Sequence, residues 1–336
     1  MKILVTGGLG YIGSHVVVEL LNENFEVVII DNLSNSSEDV LNGIETITNK
    51  KPTFIKLDLR EKNLVDTFFK NHADVSGVIH FAASKAVGES VEQPLKYYEN
   101  NINTLVYVLE EMTERSLSNF IFSSSCTVYG QADQLPITES APTKTAESPY
   151  GNTKQIGEEI IKDTCKVSNF KAIALRYFNP VGAHASAKIG ELPLGVPQNL
   201  IPFVCQTAAG IRKELSVFGD DYPTEDGTAV RDYIHVVDLA KAHIAALERL
   251  IKDDNKGNFE IFNVGTGLGT SVLEIIKTFE KVNDLKLPYK IVGRRAGDIT
   301  SAYADTQKAN HELGWRAEET LESALKSAWE WQKKCS

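Results

Sequence analysis

Cysteine is scarce: the 336-residue chain has four, Cys126, Cys165, Cys205 and Cys335. They are scattered, with no CxxC pair and no histidine at ligand spacing, so neither a disulfide framework nor a metal site is read. Free thiols of this kind point to a reducing compartment, and the expected location is the cytoplasm. Long hydrophobic runs are missing, and no stretch approaches the ~18 apolar residues of a membrane span. At the start, only Ile3-Leu4-Val5 separate Lys2 from the first glycines, which is too short for a secretory signal. Positive charge is not in excess. Lys and Arg number 35 against 45 Asp and Glu, for a net charge of −10. Such a chain is a poor generic binder of nucleic acid or anionic lipid, so any anionic ligand must be met by local donors. Internal repeats and low-complexity segments are also lacking.

What is present is an ordinary globular composition, 42% hydrophobic and 24% charged. The length suggests about two domains. Short apolar runs at 2–6, 26–30, 53–57, 76–82, 120–122 and 172–178 read as strands. Helical spacing fills 11–22, 61–71, 94–112 and 150–167 between them. Strands alternating with helices predict an α/β fold with a Rossmann-type, doubly wound parallel sheet. After Asn179 the texture changes to many Gly and Pro, with helices near 236–252, 271–284 and 318–334. The expected division is a dinucleotide-binding domain over 1–178, with a return segment at about 233–247, and a smaller mixed α/β substrate domain over 179–336.

Gly7-Gly8-Leu9-Gly10-Tyr11-Ile12-Gly13 lies between a predicted strand and a predicted helix. Gly7 and Gly10 allow the sharp turn and a close approach of pyrophosphate, Gly13 allows close helix–strand packing, and the helix N-terminus faces the phosphates. Asp31 ends the second strand, eighteen residues after Gly13. A carboxylate there suits the adenosine ribose hydroxyls and repels a 2′-phosphate, which favours NAD over NADP. Without that context an exposed turn Asp would explain it equally. Asp58 ends the third strand and reads either as an adenine contact or as a helix cap.

Tyr150 and Lys154 are four residues apart, hence on one helix face. A tyrosine titrating near 10 is a feeble base at neutral pH. A neighbouring ammonium and the positive nicotinamide of NAD would stabilise its phenolate. Ser125, just past the strand at 120–122, is placed to relay a proton to a substrate alcohol. Alone, a Tyr-x-x-x-Lys spacing marks only a helix-surface pair; with the glycine cradle and the strand-end serine it points to chemistry.

GGLGYIG (7–13), SSSCTVYG (123–130) and YGNTK (150–154) together resemble the extended short-chain dehydrogenase/reductase family. FAASKAVGES (81–90), RYFNPVGAH (176–184), GDDYPTEDGTAVRDYIHV (219–236) and RRAGD (294–298) narrow the similarity to its UDP-hexose 4-epimerases, over about residues 2–330. The resemblance implies transient oxidation of a UDP-hexose at C4 by tightly held NAD, rotation of the 4-keto sugar and reduction from the other face, interconverting UDP-glucose and UDP-galactose. It implies Tyr150 as base and acid, Lys154 as the group that tunes it and holds the nicotinamide ribose, and Ser125 as the bridge to the sugar oxygen. For the cofactor it implies Tyr11, Ile12, Asp31, Asn32, Leu33, Ser34, Asn35 and Ser36, then Asp58 and Leu59. Phe81, Ala82, Ala83, Ser84, Lys85, Asn100 and Phe178 complete that set.

Arg231 and Arg295 are candidates for the diphosphate, because guanidinium forks match phosphate oxygens; surface salt bridging is the plainer reading of either alone. By resemblance, Asn179, Asn199, Leu200, Phe218 and Asp298 surround the uridine and diphosphate. Ala302, four residues past Asp298, stands where the family lines the hexose pocket with either tyrosine or a small residue. A methyl there leaves room for a 2-acetamido group, so UDP-GlcNAc and UDP-GalNAc are expected substrates as well. Related enzymes also imply a homodimer through the helices near 94–112 and 150–167, although an ordinary buried face has the same periodicity. His80 reads as a satisfied core histidine and Cys126 as a packing residue near the nicotinamide, while His184 and His235 have no assignable ligand partner. Two alternatives stay open: a nucleotide-sugar dehydratase or decarboxylase, opposed by Cys126-Thr127 where dehydratases carry Asp-Glu, and a non-catalytic NAD-binding protein, opposed by the intact Tyr150 and Lys154.

Overall fold

The computed structural model describes residues 1–295 and 297–335, so that within RRAGD only Ala296 lies outside the described residues, with Ser336 at the end. The first half alternates strand and helix: β1 (Lys2–Thr6), α1 (Tyr11–Asn22), β2 (Glu26–Asp31), α2 (Val40–Thr48), β3 (Thr53–Lys56), α3 (Lys62–Asn71), β4 (Val75–His80), α4 (Val87–Glu92), α5 (Pro94–Glu114), β5 (Asn119–Ser123), α6 (Pro149–Val167) and β6 (Lys171–Tyr177). A second, smaller unit contributes β7 (Asn179–Val181), α7 (Leu200–Ala208), β8 (Leu215–Phe218), β9 (Val230–Arg231) and β10 (Tyr233–His235). It is followed by α8 (Val236–Ile251), β11 (Phe259–Val264), β12 (Thr270–Ser271), α9 (Val272–Asn283), β13 (Tyr289–Val292), β14 (Ser301–Ala302) and α10 (Leu321–Cys335).

Seven strands form one sheet in the order β3-β2-β1-β4-β5-β6-β11, and every neighbour pair is parallel. Period-two alternation sends successive side chains to opposite faces. Ile3, Val5, Val27 and Ile29 therefore join α1 and α8 in one core, while Leu4, Val28 and Ile30 join α3, α5 and α6 in the other. Because both faces are covered, the strands read as continuous apolar runs. Strand order reverses beside β1, and ligands of open α/β sheets collect outside the carboxyl ends of the strands at such a point. Helices α7, α9 and α10 with β8 enclose a third core.

The segment expected to return near 233–247 overlaps α8, whose Leu239, Ala240 and Leu247 lie in one core with α1 and the main sheet. Tyr233–His235 pairs with Asn179–Val181 outside the main sheet. The return is made by α8 and completed by β11 against β6, since a parallel neighbour requires a crossover before the next strand can be laid down. Arg249 on α8 clamps that crossover, donating to Glu260 on β11 at 2.7 and 3.0 Å. The short helices α2, α4 and α7 lie outside the helices expected from the sequence.

Candidate active site

The glycine turn has the backbone its residues dictate. Gly7 has φ +68°, and a Cβ there would lie 2.9 Å from the Ala82 nitrogen, so only glycine fits. A Cβ on Gly13 would overlap the Gly7 carbonyl. Gly10 is the N-cap of α1 and offers no side-chain cap, which leaves the first-turn N–H groups at Tyr11 and Ile12 for an anion. Asp31, at the end of β2, is buried. It accepts the Leu9 N–H (3.1 Å), the Leu33 N–H (2.9 Å) and the Ser36 hydroxyl (2.8 Å). Asn32 takes the Ser34 N–H at 3.0 Å and donates to Asp58 at 3.2 Å; Ser34 and Asn35 are exposed at the rim. The Arg60 guanidinium, 2.8 Å from Asp58, holds that carboxyl at about 2 despite its partial burial. A phosphate-sized glycine turn under a free helix end, with a carboxylate at the next strand tip, fits a dinucleotide.

The second wall is the segment after β4. Phe81 packs against His243 with 4.8 Å between centroids. Ala82 and Ala83 lead to Ser84, whose N–H donates to Asn101 (2.7 Å) and whose hydroxyl accepts from Asn100 (3.2 Å). Lys85 reaches across the cleft to Glu191 at 3.4 Å. Glu191 also accepts from Asn199 at 2.7 Å, so one carboxylate links an expected cofactor residue to an expected substrate residue.

Helix α6 opens on a Ser148 cap with Pro149 in its first turn. Tyr150 and Lys154 therefore point to one side, and both are buried. The Lys154 ammonium donates to the Ser123 carbonyl at 2.6 Å and lies 4.9 Å from the Phe122 ring centroid and 5.8 Å from that of Tyr150. Ser125 accepts the Thr127 N–H (3.2 Å) and hydroxyl (3.0 Å) and lies close enough to the Tyr150 phenol to favour its ionised form. Burial pushes that phenol well above the usual tyrosine range, against the pull of Ser125. Burial also lowers Lys154 to about 8, against the field of Glu158. This chain of three polar groups can carry a proton from an alcohol to a buried base, provided that a further positive charge favours the phenolate.

On the side of the smaller unit, Asn179 donates its N–H to the Asp232 carbonyl at 2.9 Å. Arg231 lies opposite Ala302 in the β9–β14 ladder, and its guanidinium is held by the Val230 carbonyl at 2.8 Å. Arg295 sits 5.6 Å from the half-exposed Phe218 ring and pairs with Asp298 at 2.8 Å. Asn199 is the N-cap of α7 and Leu200 its first residue. Ala302 is buried with Val128, Tyr129, Phe178 and Ala304. The Leu59 and Phe178 side chains lie in apolar cores, so those two positions offer only backbone atoms to a ligand.

Three residues absent from the sequence reading build this site. Asp232 is fully buried and accepts the Thr266 N–H (2.8 Å) and hydroxyl (2.7 Å), the Gly267 N–H (3.0 Å) and the Ala304 N–H (3.2 Å). It ties the Arg231 strand to the wall that carries Ala302. Glu158 and Arg176 form a buried pair beneath Lys154. A charge inside an apolar run (Arg176 in AIALRYF, Asp232 in VRDYIHVV) was the available signal. His80 is satisfied by Thr6 at 2.9 Å and kept neutral by burial, at about 3. Burial pushes the Cys126 thiol up to about 12. His184 bonds Ser186, and His235 caps α8 through the Val237 N–H. Among the described residues, no cluster of three or more His, Cys, Asp or Glu could hold a metal, and no helix is long and apolar enough to cross a membrane.

Residues 4–328 match the family described as GDP-mannose 4,6 dehydratase. A UDP-glucose 4-epimerase of Bacillus subtilis is 51% identical over 333 residues, 99% of this chain and 97% of that protein. The crystal structure of a UDP-glucose 4-epimerase from Stenotrophomonas maltophila with bound NAD and formylated UDP-arabinopyranose superposes with a TM-score of 0.96. It is 46% identical and covers 100% of this chain and 98% of that one. The Bifidobacterium longum UDP-glucose 4-epimerase, in complex with NAD+ and UDP, gives 0.94 at 46% identity, covering 99% and 98%. The chain belongs to the GDP-mannose 4,6 dehydratase family of extended short-chain dehydrogenases/reductases and, within it, to the UDP-glucose 4-epimerases.

Proposed function

We propose that this chain is an NAD-dependent isomerase that interconverts UDP-glucose and UDP-galactose by inverting C4. The observation that carries this is the Ser125–Tyr150–Lys154 chain, which lies beside the dinucleotide cradle and under the smaller unit. When bound, NAD supplies the two-electron acceptor and donor for C4. Gly7, Gly10 and Gly13 leave room for its pyrophosphate, Asp31 accepts its ribose hydroxyls, and the 81–85 segment closes over the nicotinamide side with Asn100 behind it. Tyr150 takes the 4-hydroxyl proton through or beside Ser125 and later returns it. Lys154 keeps the phenolate affordable in a buried site. Arg231 and Arg295 hold the diphosphate in an otherwise acidic protein, Phe218 offers a face to the uracil, and Asn179, Asn199, Leu200 and Asp298 frame the nucleotide. Firm contacts to UDP and few to the hexose allow the oxidised ring to turn.

The dehydratase alternative requires an acid–base pair beside the serine. Cys126 and Thr127 occupy that place; the thiol is held protonated, and the Thr127 hydroxyl is committed to Ser125. Incubation of purified protein with UDP-galactose and no added cofactor tests the reading. UDP-glucose is the expected product by NMR. A 4-keto-6-deoxy sugar, or no conversion even with NAD supplied, overturns it.

The 2-acetamido sugars are further substrates on this reading, because Ala302 presents only a methyl beside the phosphate strand. UDP-GlcNAc should epimerise, and Ala302→Tyr should remove that activity at least tenfold more than activity on UDP-galactose, measured as the kcat/KM ratio. Residues 1–178 with the returning segment serve the cofactor, and 179–336 mainly the UDP-sugar. Two copies pair through α5 and α6, whose outer face leaves Val167 exposed and Val106 and Ile160 half-buried; sedimentation should give twice the chain mass. The unbridged thiols suit the cytoplasm.

A further inference from the structure

Beneath the proton-transfer group lies a charged pair for which the proposed chemistry has no use. Glu158 is one turn beyond Lys154 on α6 and is 6% exposed; Arg176, on β6, is 4% exposed. Arg176 donates to Glu158 through Nε at 2.9 Å and Nη2 at 2.5 Å. The same carboxylate accepts the Ser124 hydroxyl at 2.5 Å. A buried ion pair is a poor stability device, since an apolar pair of equal volume does as well or better. Its place in the site suggests another use. Ser124 lies between Ser123, whose carbonyl holds Lys154, and Ser125, which neighbours the Tyr150 phenol. One carboxylate thus grips the segment from which both contacts hang.

We propose that Glu158 is a positioning residue of the proton-transfer group: it cancels the Arg176 charge beneath Lys154 and, through Ser124, holds the 123–125 segment against Tyr150. The inference rests on the epimerase reading. The surroundings are otherwise low in charge. His80 on β4 is neutral, and the Cys126 thiol and the Tyr97 and Tyr177 phenols on α5 and β6 are protonated by burial. Tyr129 stacks under the Arg176 guanidinium at 4.7 Å, with Glu139 beyond it. With the carboxylate removed, Arg176 is left an unmatched buried cation and Lys154 loses the neighbouring negative charge that raises it. Lys154 then sheds its proton more readily, and the phenolate of Tyr150 forms more readily.

The test compares kcat against pH with a tyrosinate absorbance titration of the protein as purified; the Tyr150 step is identified by its loss in Tyr150→Phe. Glu158→Gln should move both limbs of the kcat profile and the Tyr150 step to lower pH by about one unit, and adding Arg176→Met should return them. Ser124→Ala should lower kcat about tenfold with both limbs in place. Arg176→Met alone, which keeps the carboxylate, should move the limbs and the step to higher pH, and it decides the matter if Glu158→Gln does not fold. Limbs and titration that stay put in Glu158→Gln, or in Arg176→Met, overturn the proposal, as does an unaltered kcat in Ser124→Ala. Failure of the epimerase reading shows as absent turnover in the unaltered protein, and the titration still decides the role of Glu158.

Discussion

At the scale of the residue, the chemistry rests on two ionisable groups whose burial works against them. Lys154 must be charged to help, yet its site lowers it to about 8 from an ordinary 10.5. The catalytic form is therefore the one lost as pH rises. Turnover should hold near neutrality and fall above pH about 8, towards tenfold lower per unit, as read from initial rates on UDP-galactose with bound NAD confirmed at each pH. The Tyr150–Lys154 pair was readable from the sequence because helix geometry makes a spacing of four equivalent to a shared face. Glu158 continues the same face one turn later. Its meaning was hidden, because it depends on Arg176 arriving from a strand that only tertiary structure places there.

At the scale of the element, glycine sets the distance between α1 and β1. Gly13→Ala would drive a methyl into the Gly7 carbonyl, push the helix N-terminus off the cradle and withdraw its N–H groups. The expected result is protein that purifies with less than about a tenth of its nucleotide, measured by releasing NAD on denaturation, together with a loss of about 1–3 kcal/mol in urea unfolding. The repeating strands and helices of the first half were readable because burial on both faces leaves runs of Val, Ile and Leu. β11 was not, since FEIFNV follows a long helix and carries Glu260, a charge that is tolerable in a buried strand only because Arg249 meets it. Helix α7 was masked by Pro202, which is harmless in a first turn but reads as a breaker in a bare sequence.

At the scale of the molecule, acid should be the weak side. His15 and His80 are held neutral by burial at about 3, and His235 and His243 at about 4. In the unfolded chain each takes a proton near 6.5. The unfolded state therefore binds more protons, and stability present above pH 6.5 is lost as pH falls. With all four engaged the slope approaches about 5 kcal/mol per pH unit. Thermal midpoints should drop steeply between pH 6.5 and 5; a flat profile there would contradict the burial of these rings.

The seventh strand has a consequence for how this protein can be divided. Because the sheet's outermost member is laid down only after the excursion through the sugar-facing residues, no scalpel cut near position 178 releases a self-sufficient nucleotide half. A fragment ending there would expose the flank of Lys171–Tyr177 as a raw, sticky border and would lack Val236–Ile251, which roofs the first helix. The two halves are stitched rather than strung, and they stand or fall as one piece.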